Sequence, residues 1–403
     1  MTLARSAVGR WSMATAAWLS LSMPAYSQET AAQDSAAPTD LNVLMWTEPQ
    51  RDFAFPRMEE LAPVRTIPNG DTFRELPRGS DLAVALEMDG EPWTIDRYLE
   101  DQRAAGIVVL HNGQVRFERY RMGADVDARW TSFSVAKSLT STLVGAAIVD
   151  GHIESLDAPV TDYIPELAGG GYDGVTVRQL LTMTSGVRWN EDYTDPNSDV
   201  SLFNQVTPEP GIDPVVTYMR NLPSEAEPGT RWQYNTGETN LIGVLVANAT
   251  GIPLADYLSQ QVWAPFGMAQ DGEWIVNAGG NEIAGCCISA TVRDYARFGL
   301  FVLGDGMIGE ERVVPEGWFA DATTRQADIG YPGRGYGYQW WTFDDGSFAA
   351  QGIFGQGIFI DLARNLVIAS NGNWPVASNA LYRERRNAFY RAVQAAVDGE
   401  LSQ

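Results

Sequence analysis

The chain has 403 residues, 45% of them hydrophobic, and a formal net charge of −23 from 28 Lys or Arg against 51 Asp or Glu. That length supports a large core in one domain or two. A surface this acidic repels nucleic acid and anionic membranes, so neither is expected as a partner.

The first 27 residues read as a signal peptide. Arg5 and Arg10 supply its positive region, Trp11 to Met23 is short and mostly apolar, and Ala25-Tyr26-Ser27 has the small residues of a cleavage site. No later run has the apolar length of a membrane span, so the expectation is export to the periplasm or beyond. Residues 28–40 are small and polar and read as a flexible leader. Residues 41–80 carry scattered prolines without a clean period and read as an extended arm on the body.

Trp93 to Arg103 is helix-like, with Thr94 and Asp96 near its start. A hairpin follows: Gly106 to Leu110 is an apolar strand, Asn112-Gly113 is a strong turn signal, and Val115 to Tyr120 alternates. From 140 to 325 helical patterns dominate, among them Thr176–Thr184, Glu238–Thr250, Leu254–Val262 and Thr291–Leu303. Strand-like runs return at Phe348–Gln351, Gly357–Asp361 and Leu366–Ser370, and Ala380–Val397 closes as an amphipathic helix. These patterns imply an α+β fold in several layers. An antiparallel sheet is built from both chain ends with flanking helices, beside a mainly helical middle region. Cys286 and Cys287 are adjacent, so no disulfide framework is expected, and two small buried hydrophobes are the plain reading.

Chemistry concentrates around one residue. Lys137 is the sole lysine, three positions after Ser134, in Phe133-Ser134-Val135-Ala136-Lys137-Ser138-Leu139. Lysine loses its proton when desolvated, whereas arginine effectively does not. At a helix start, residues three apart share a face, which puts a hydroxyl beside an activating amine. A solvated lysine is the bland alternative, and the apolar neighbours argue against it.

Other nucleophile systems fail on composition. His111 and His152 are the only histidines, and both sit in loop or hairpin contexts; no serine has glycine at both −2 and +2. No zinc ligand set, phosphate-cradling loop or dinucleotide fingerprint is present, so no cofactor or metal is expected.

The Ser134–Lys137 motif and four further segments resemble the serine β-lactamase/penicillin-binding-protein superfamily. The segments are Val177-Arg-Gln-Leu-Leu-Thr-Met-Thr-Ser-Gly186, Pro228-Gly-Thr-Arg-Trp-Gln-Tyr-Asn-Thr236, Ser289-Ala-Thr-Val-Arg-Asp-Tyr-Ala-Arg-Phe-Gly299 and Gly352-Ile-Phe-Gly-Gln356. The likeness is strongest to the class C-like branch with esterases and 6-aminohexanoate-dimer hydrolases. It implies a β-lactamase-like domain over 81–403, with its sheet region at 81–130 and 325–403 and its helical region at 131–324. It also implies Ser134 as nucleophile, Lys137 as its hydrogen-bonded partner, and Tyr234 as the proton-passing tyrosine. The backbone amides of Ser134 and Ile353 would form the oxyanion hole, and Thr236 and Gly352 would contact substrate. The residues alone leave open whether Lys137 is a neutral base or a cation favouring a Tyr234 phenolate.

The chain departs from the penicillin-recognising pattern on the late strand. Ala350-Gln351-Gly352 stands where those enzymes carry Lys-Thr-Gly, and no second lysine exists to fill the place. An arginine from elsewhere, such as Arg334, is the available substitute. The tyrosine motif ends in Thr236 rather than Asn. Both changes favour a hydrolase of small esters or linear amides, such as 6-aminohexanoate oligomers, working through an acyl-enzyme. The alternatives are a β-lactamase or D-Ala-D-Ala carboxypeptidase, and a binding protein that kept the fold without catalysis. Pocket shape is expected to depend on the loops Trp189–Asp199 and Thr323–Tyr338. The sequence does not disclose oligomeric state.

Overall fold

Apolar segments from the two ends of the chain meet in one seven-stranded antiparallel sheet. The computed structural model describes residues 37–203 and 205–401. The expected signal peptide and the leader through residue 36 lie outside the described residues. The strands are β1 (Ala104–His111), β2 (Gln114–Tyr120), β3 (Arg334–Tyr336), β4 (Trp341–Phe343), β5 (Phe348–Gln351), β6 (Gly357–Asp361) and β7 (Leu366–Gly372). Their order across the sheet is β3-β4-β5-β6-β7-β1-β2. The junction of the two chain ends is therefore β7 against β1, with Ile368 opposite Val109 and Ser370 opposite Ile107. Asn112 (φ 52°) and Gly113 (φ 74°) make the tight turn that joins β1 to β2.

Strand alternation sorts the core into two layers. Val108, Leu110, Val367, Ala369 and Ile358 face the larger cluster, which includes helix residues such as Leu139, Leu241 and Phe298. Their neighbours Ile107, Val109, Leu366, Ile368 and Phe359 face the other side, against Phe389, Tyr390, Val393 and Val397. A sheet covered on both faces needs strands apolar at every position, and β1 is buried throughout.

The helices that matter here are α1 (Glu48–Ala54), α2 (Ala136–Val149), α3 (Thr236–Thr250), α4 (Val292–Leu303) and α5 (Ala380–Leu401). Helices α2 and α3 pack together in the middle region, and α4 lies against β7 and β6. The side chain of Asn235 caps α3 by accepting from the Glu238 amide at 3.0 Å, and Gly251 (φ 70°) ends it. The expected helix at Leu254–Val262 is α-helical only over Leu254–Leu258 and continues as a π-turn over Ser259–Trp263.

Three features differ from the sequence reading. The segment 41–80, expected as an extended arm, contains α1 and a strand, Val64–Ile67. The mainly helical middle contributes two strands, Gly272–Ile275 and Ile288–Thr291, which join Val64–Ile67 and Arg129–Thr131 in a second, four-stranded antiparallel sheet. Strands of three or four residues are too short to display a period of two. Finally, Cys286 and Cys287 are joined as a vicinal disulfide rather than standing as separate thiols. Adjacent side chains diverge in extended backbone, and the left-handed turn at Cys287 (φ 73°) brings them together.

The arm has a structural task. Phe55, at the end of α1, is fully buried and packs on Phe133 (5.0 Å between ring centroids) and Phe354 (5.4 Å), which also meet each other at 5.4 Å. The buried Arg51 guanidinium lies 4.7 Å from the Phe354 ring centre and donates to Asn373 Oδ1 (2.7 Å) and the Trp46 carbonyl (2.6 Å). Phe133 precedes Ser134, and Phe354 follows Ile353. Both carry positive φ, 44° and 59°, a strained backbone that tight surrounding packing must hold.

Candidate active site

Ser134 sits in a 3-10 turn, Phe133–Val135, that runs directly into α2. Ser132 anchors this turn: its amide donates to the Ile288 carbonyl (2.7 Å), and its hydroxyl accepts from the Ile288 amide (3.0 Å). One turn on, Lys137 projects into the interior and is 1% exposed. Its ammonium nitrogen donates to Thr236 Oγ1 at 3.1 Å and to the Gly285 carbonyl at 2.8 Å. It also lies 5.5 Å from the centre of the Tyr234 ring. The expected Ser134–Lys137 hydrogen bond is not among these contacts; the Ser134 hydroxyl instead lies close enough to the Tyr234 phenol to act on it, and both line one cavity.

Tyr234 is aimed by its neighbours. The Gln233 amide bonds the Met183 carbonyl (3.0 Å), Asn235 caps α3, and the tyrosine between them lines the same cavity as Ser134. Its ring stacks on Trp341 (5.6 Å, 17°) and meets Tyr336 edge-on (6.1 Å). Tyr234 and Trp341 line the cavity, with the buried Tyr336 packed against both.

A carboxylate that sequence reasoning missed completes the cluster. Glu191 Oε1 accepts from the Thr236 hydroxyl and from Tyr193 OH (2.8 Å). Its Oε2 accepts from the Thr236 amide (3.0 Å) and from Trp189 Nε1. The Thr236 hydroxyl thus accepts from Lys137 and donates to Glu191, a relay between cation and anion. The loop Trp189–Asp199 was expected to shape the pocket, but nothing local marks Glu191 as the partner of a lysine 54 positions earlier.

Electrostatics bear on a question the residues left open. Burial pushes the Lys137 ammonium down to about 7, against the opposing pull of Glu191. Burial and then the Glu191 charge push the Tyr234 phenol far above its ordinary value, with only the nearby Ser134 hydroxyl working the other way. A neutral amine is therefore accessible near neutral pH, and a resting phenolate is not.

Ser134, Tyr234, Gly352 and Ile353 all line one cavity of about 520 Å³, with Glu191 and Tyr193 from the first loop and Ile329, Tyr331 and Arg334 from the second. Lys137 and Thr236 lie behind that wall, with the Thr236 hydroxyl occupied by Lys137 and Glu191. Ile353 is the first residue and Ser134 the second of a 3-10 turn, positions where a backbone N–H has no partner inside the turn. A side chain at 352 would drive its Cβ to 2.6 Å from the Ser132 carbonyl oxygen, so glycine is what lets the β5 end approach the turn that carries Ser134.

This arrangement, a serine and a phenol on one cavity with a buried amine one helical turn from the serine, coincides with a family match over most of the chain. The beta-lactamase family model matches residues 94–392. The chain belongs to the β-lactamase family. It is a serine hydrolase of this family, acting on ester or amide bonds. It is 32% identical over 391 residues to the 6-aminohexanoate-dimer hydrolase of Paenarthrobacter ureafaciens, covering 92% of this chain and 98% of that protein. It is 30% identical over 198 residues to esterase EstB of Burkholderia gladioli, covering 44% of this chain and 49% of that one. Among solved structures, a candidate 6-aminohexanoate-dimer hydrolase from Bacillus anthracis shares the fold at a TM-score of 0.76 and 24% identity, covering 87% of this chain and 94% of its own.

Proposed function

We propose that this β-lactamase-family enzyme cleaves a small ester or a linear amide of the 6-aminohexanoate type through an acyl-enzyme on Ser134. The observation that carries the reading is the buried Lys137, pushed down to about 7 and 5.5 Å from the centre of the Tyr234 ring, which shares one cavity with Ser134. In its neutral form Lys137 supplies the base. Tyr234 passes the Ser134 proton inward as the oxygen attacks the carbonyl carbon, and later returns it to the leaving group. The amides of Ser134 and Ile353 hold the oxyanion, and water then releases the acyl group. Thr236 and Glu191 position Lys137. Gly352 gives the substrate room at the strand edge. The absence of a lysine from Ala350-Gln351-Gly352 weighs against penicillin-type substrates. The similarity to the Paenarthrobacter enzyme along nearly the whole chain supports the linear-amide class. An exported location accompanies this reading, on the strength of the segment from Arg5 to Ser27.

The test is a parallel hydrolysis panel of p-nitrophenyl esters, the linear 6-aminohexanoate dimer and nitrocefin. Turnover of esters and the linear dimer, with nitrocefin far slower, is the expected result. Nitrocefin turnover equal to or above that of the esters would transfer the enzyme to the β-lactamases.

A further inference from the structure

Asn235-Thr236-Gly237-Glu238 has the spacing of a capping box at the start of α3. In that motif the carboxylate of the fourth residue accepts from the amide of the first. Here the Asn235 amide donates to Met183 Sδ instead (3.4 Å). The Glu238 carboxyl is engaged elsewhere: its Oε1 accepts from the Ser185 hydroxyl and from Asn235 Nδ2 (3.2 Å). Glu238 is 1% exposed, and its Oε2 is buried without a partner. The buried Tyr172 phenol stands near the same cluster, where Glu238 and Asn235 both act on it.

A buried carboxyl with an unpartnered oxygen is a costly way to fill a core, and an apolar side chain of similar size would serve packing better. What the carboxyl provides is one acceptor shared by two segments. Ser185 lies two residues after Met183, whose φ of 56° is a left-handed conformation uncommon for any residue but glycine. The Met183 turn holds both neighbours of Tyr234: its carbonyl accepts from the Gln233 amide (3.0 Å), and its sulfur accepts from the Asn235 amide. The Ser185 hydroxyl also accepts from the Val187 amide (3.0 Å), which fixes its own place in the segment. Through Ser185 and Asn235, Glu238 thus ties the Met183 turn to the residue that follows the tyrosine. Burial pushes the Glu238 carboxyl up to about 8, so at neutral pH the tie is made mainly by an uncharged acid.

We propose that Glu238 is a positioning residue for Tyr234, holding Ser185 and Asn235 together so that the Met183 turn keeps the phenol in its place on the Ser134 cavity. This rests on the hydrolase reading above and adds a residue that acts on the reaction only through the tyrosine. A misplacement of about 1 Å in a reacting group costs up to about 100-fold in rate, so the loss on breaking the tie falls on kcat rather than on KM.

Three variants test this on a p-nitrophenyl ester at pH 7, with near-ultraviolet circular dichroism to count folded enzyme. Glu238→Ala should lower kcat per folded enzyme about tenfold or more, with KM changed less than about threefold. Glu238→Gln, which keeps an acceptor for Ser185 and Asn235 without charge, should restore most of that loss. Ser185→Ala should lower kcat about threefold or more, again with little change in KM. An unchanged kcat in Glu238→Ala overturns the proposal, as does a loss in Glu238→Gln equal to that in Glu238→Ala. If Glu238→Ala does not fold, Ser185→Ala decides, and an unchanged kcat there overturns the proposal. If the wild type hydrolyses no ester, the hydrolase reading fails, and the positioning is judged without turnover. 3-Fluorotyrosine placed at position 234 then reports by 19F NMR. Its resonance should move or split in Ser185→Ala and Glu238→Ala and keep its wild-type position in Glu238→Gln; an unmoved resonance in both alanine variants overturns the proposal.

Discussion

Replacing Glu191 with glutamine removes the negative charge that faces Lys137 across the Thr236 hydroxyl. The Lys137 nitrogen lies 3.1 Å from Thr236 Oγ1, which in turn bonds Glu191 Oε1. Two hydrogen bonds in series put the charges about 5 Å apart, a separation worth about 3 kcal/mol at an effective dielectric near 20 and about 1 kcal/mol in water. Glu191 favours the charged lysine, so its loss lowers the Lys137 pKa further, by about half a unit to two units at ~1.4 kcal/mol per unit. In the wild type, activity on a neutral p-nitrophenyl ester should rise with pH through about 7, as Lys137 loses its proton. In Glu191→Gln the acid limb of kcat/KM should move to lower pH, even if the plateau drops because glutamine cannot accept from every former donor. A limb that stays in place, or moves upward, would refute the assignment of Lys137 as the titrating base.

Three further outcomes follow from the same contacts. Gly352→Ala places a Cβ 2.6 Å from the Ser132 carbonyl oxygen and pushes the Ile353 amide away from the nucleophile. Steady-state kinetics should show kcat falling about 10- to 100-fold with a smaller change in KM, and an unchanged kcat would contradict the oxyanion role. Arg51→Ala leaves Asn373 and the Trp46 carbonyl without their donor and removes the cation from Phe354. Denaturant unfolding should show a loss of about 3 kcal/mol, and a loss under about 1 kcal/mol would contradict the supporting role given to α1. The buried Glu238 carboxyl is pushed up to about 8 by burial. The folded state thus favours its neutral acid, a contribution fully present below about 4.5 and lost as pH rises through about 8. Relative to wild type, Glu238→Gln should gain thermal stability progressively across that window, and a constant difference would show that Glu238 does not titrate there.

What could be read from the sequence was local or carried by resemblance. The Asn112-Gly113 turn and the strands on either side of it are set by near neighbours, and they hold in the fold. The strand pairing of Val64 with Ile275 is not of that kind, because its partners lie far apart in sequence and each strand has only four residues. The same holds for Glu191, an ordinary loop glutamate until folding sets it against Thr236 and near Lys137. The lone lysine was conspicuous from the start, yet its accessible neutral form depends on complete burial, which only the packed structure supplies. Arg386 was one basic residue on an amphipathic helix until the fold placed it, buried, on the wall of the Ser134 cavity.

The central claim is that Ser134 carries the acyl group and that Lys137 makes it reactive. Intact-mass and peptide-mapping spectrometry after exposure to a p-nitrophenyl ester, with acid quenching, measures this directly. The account predicts one acyl adduct on Ser134 in the wild type, none in Ser134→Ala, and severely slowed formation in Lys137→Arg, where the charge remains but no proton can be accepted. An adduct on another residue, or acylation of Lys137→Arg at the wild-type rate, would contradict it.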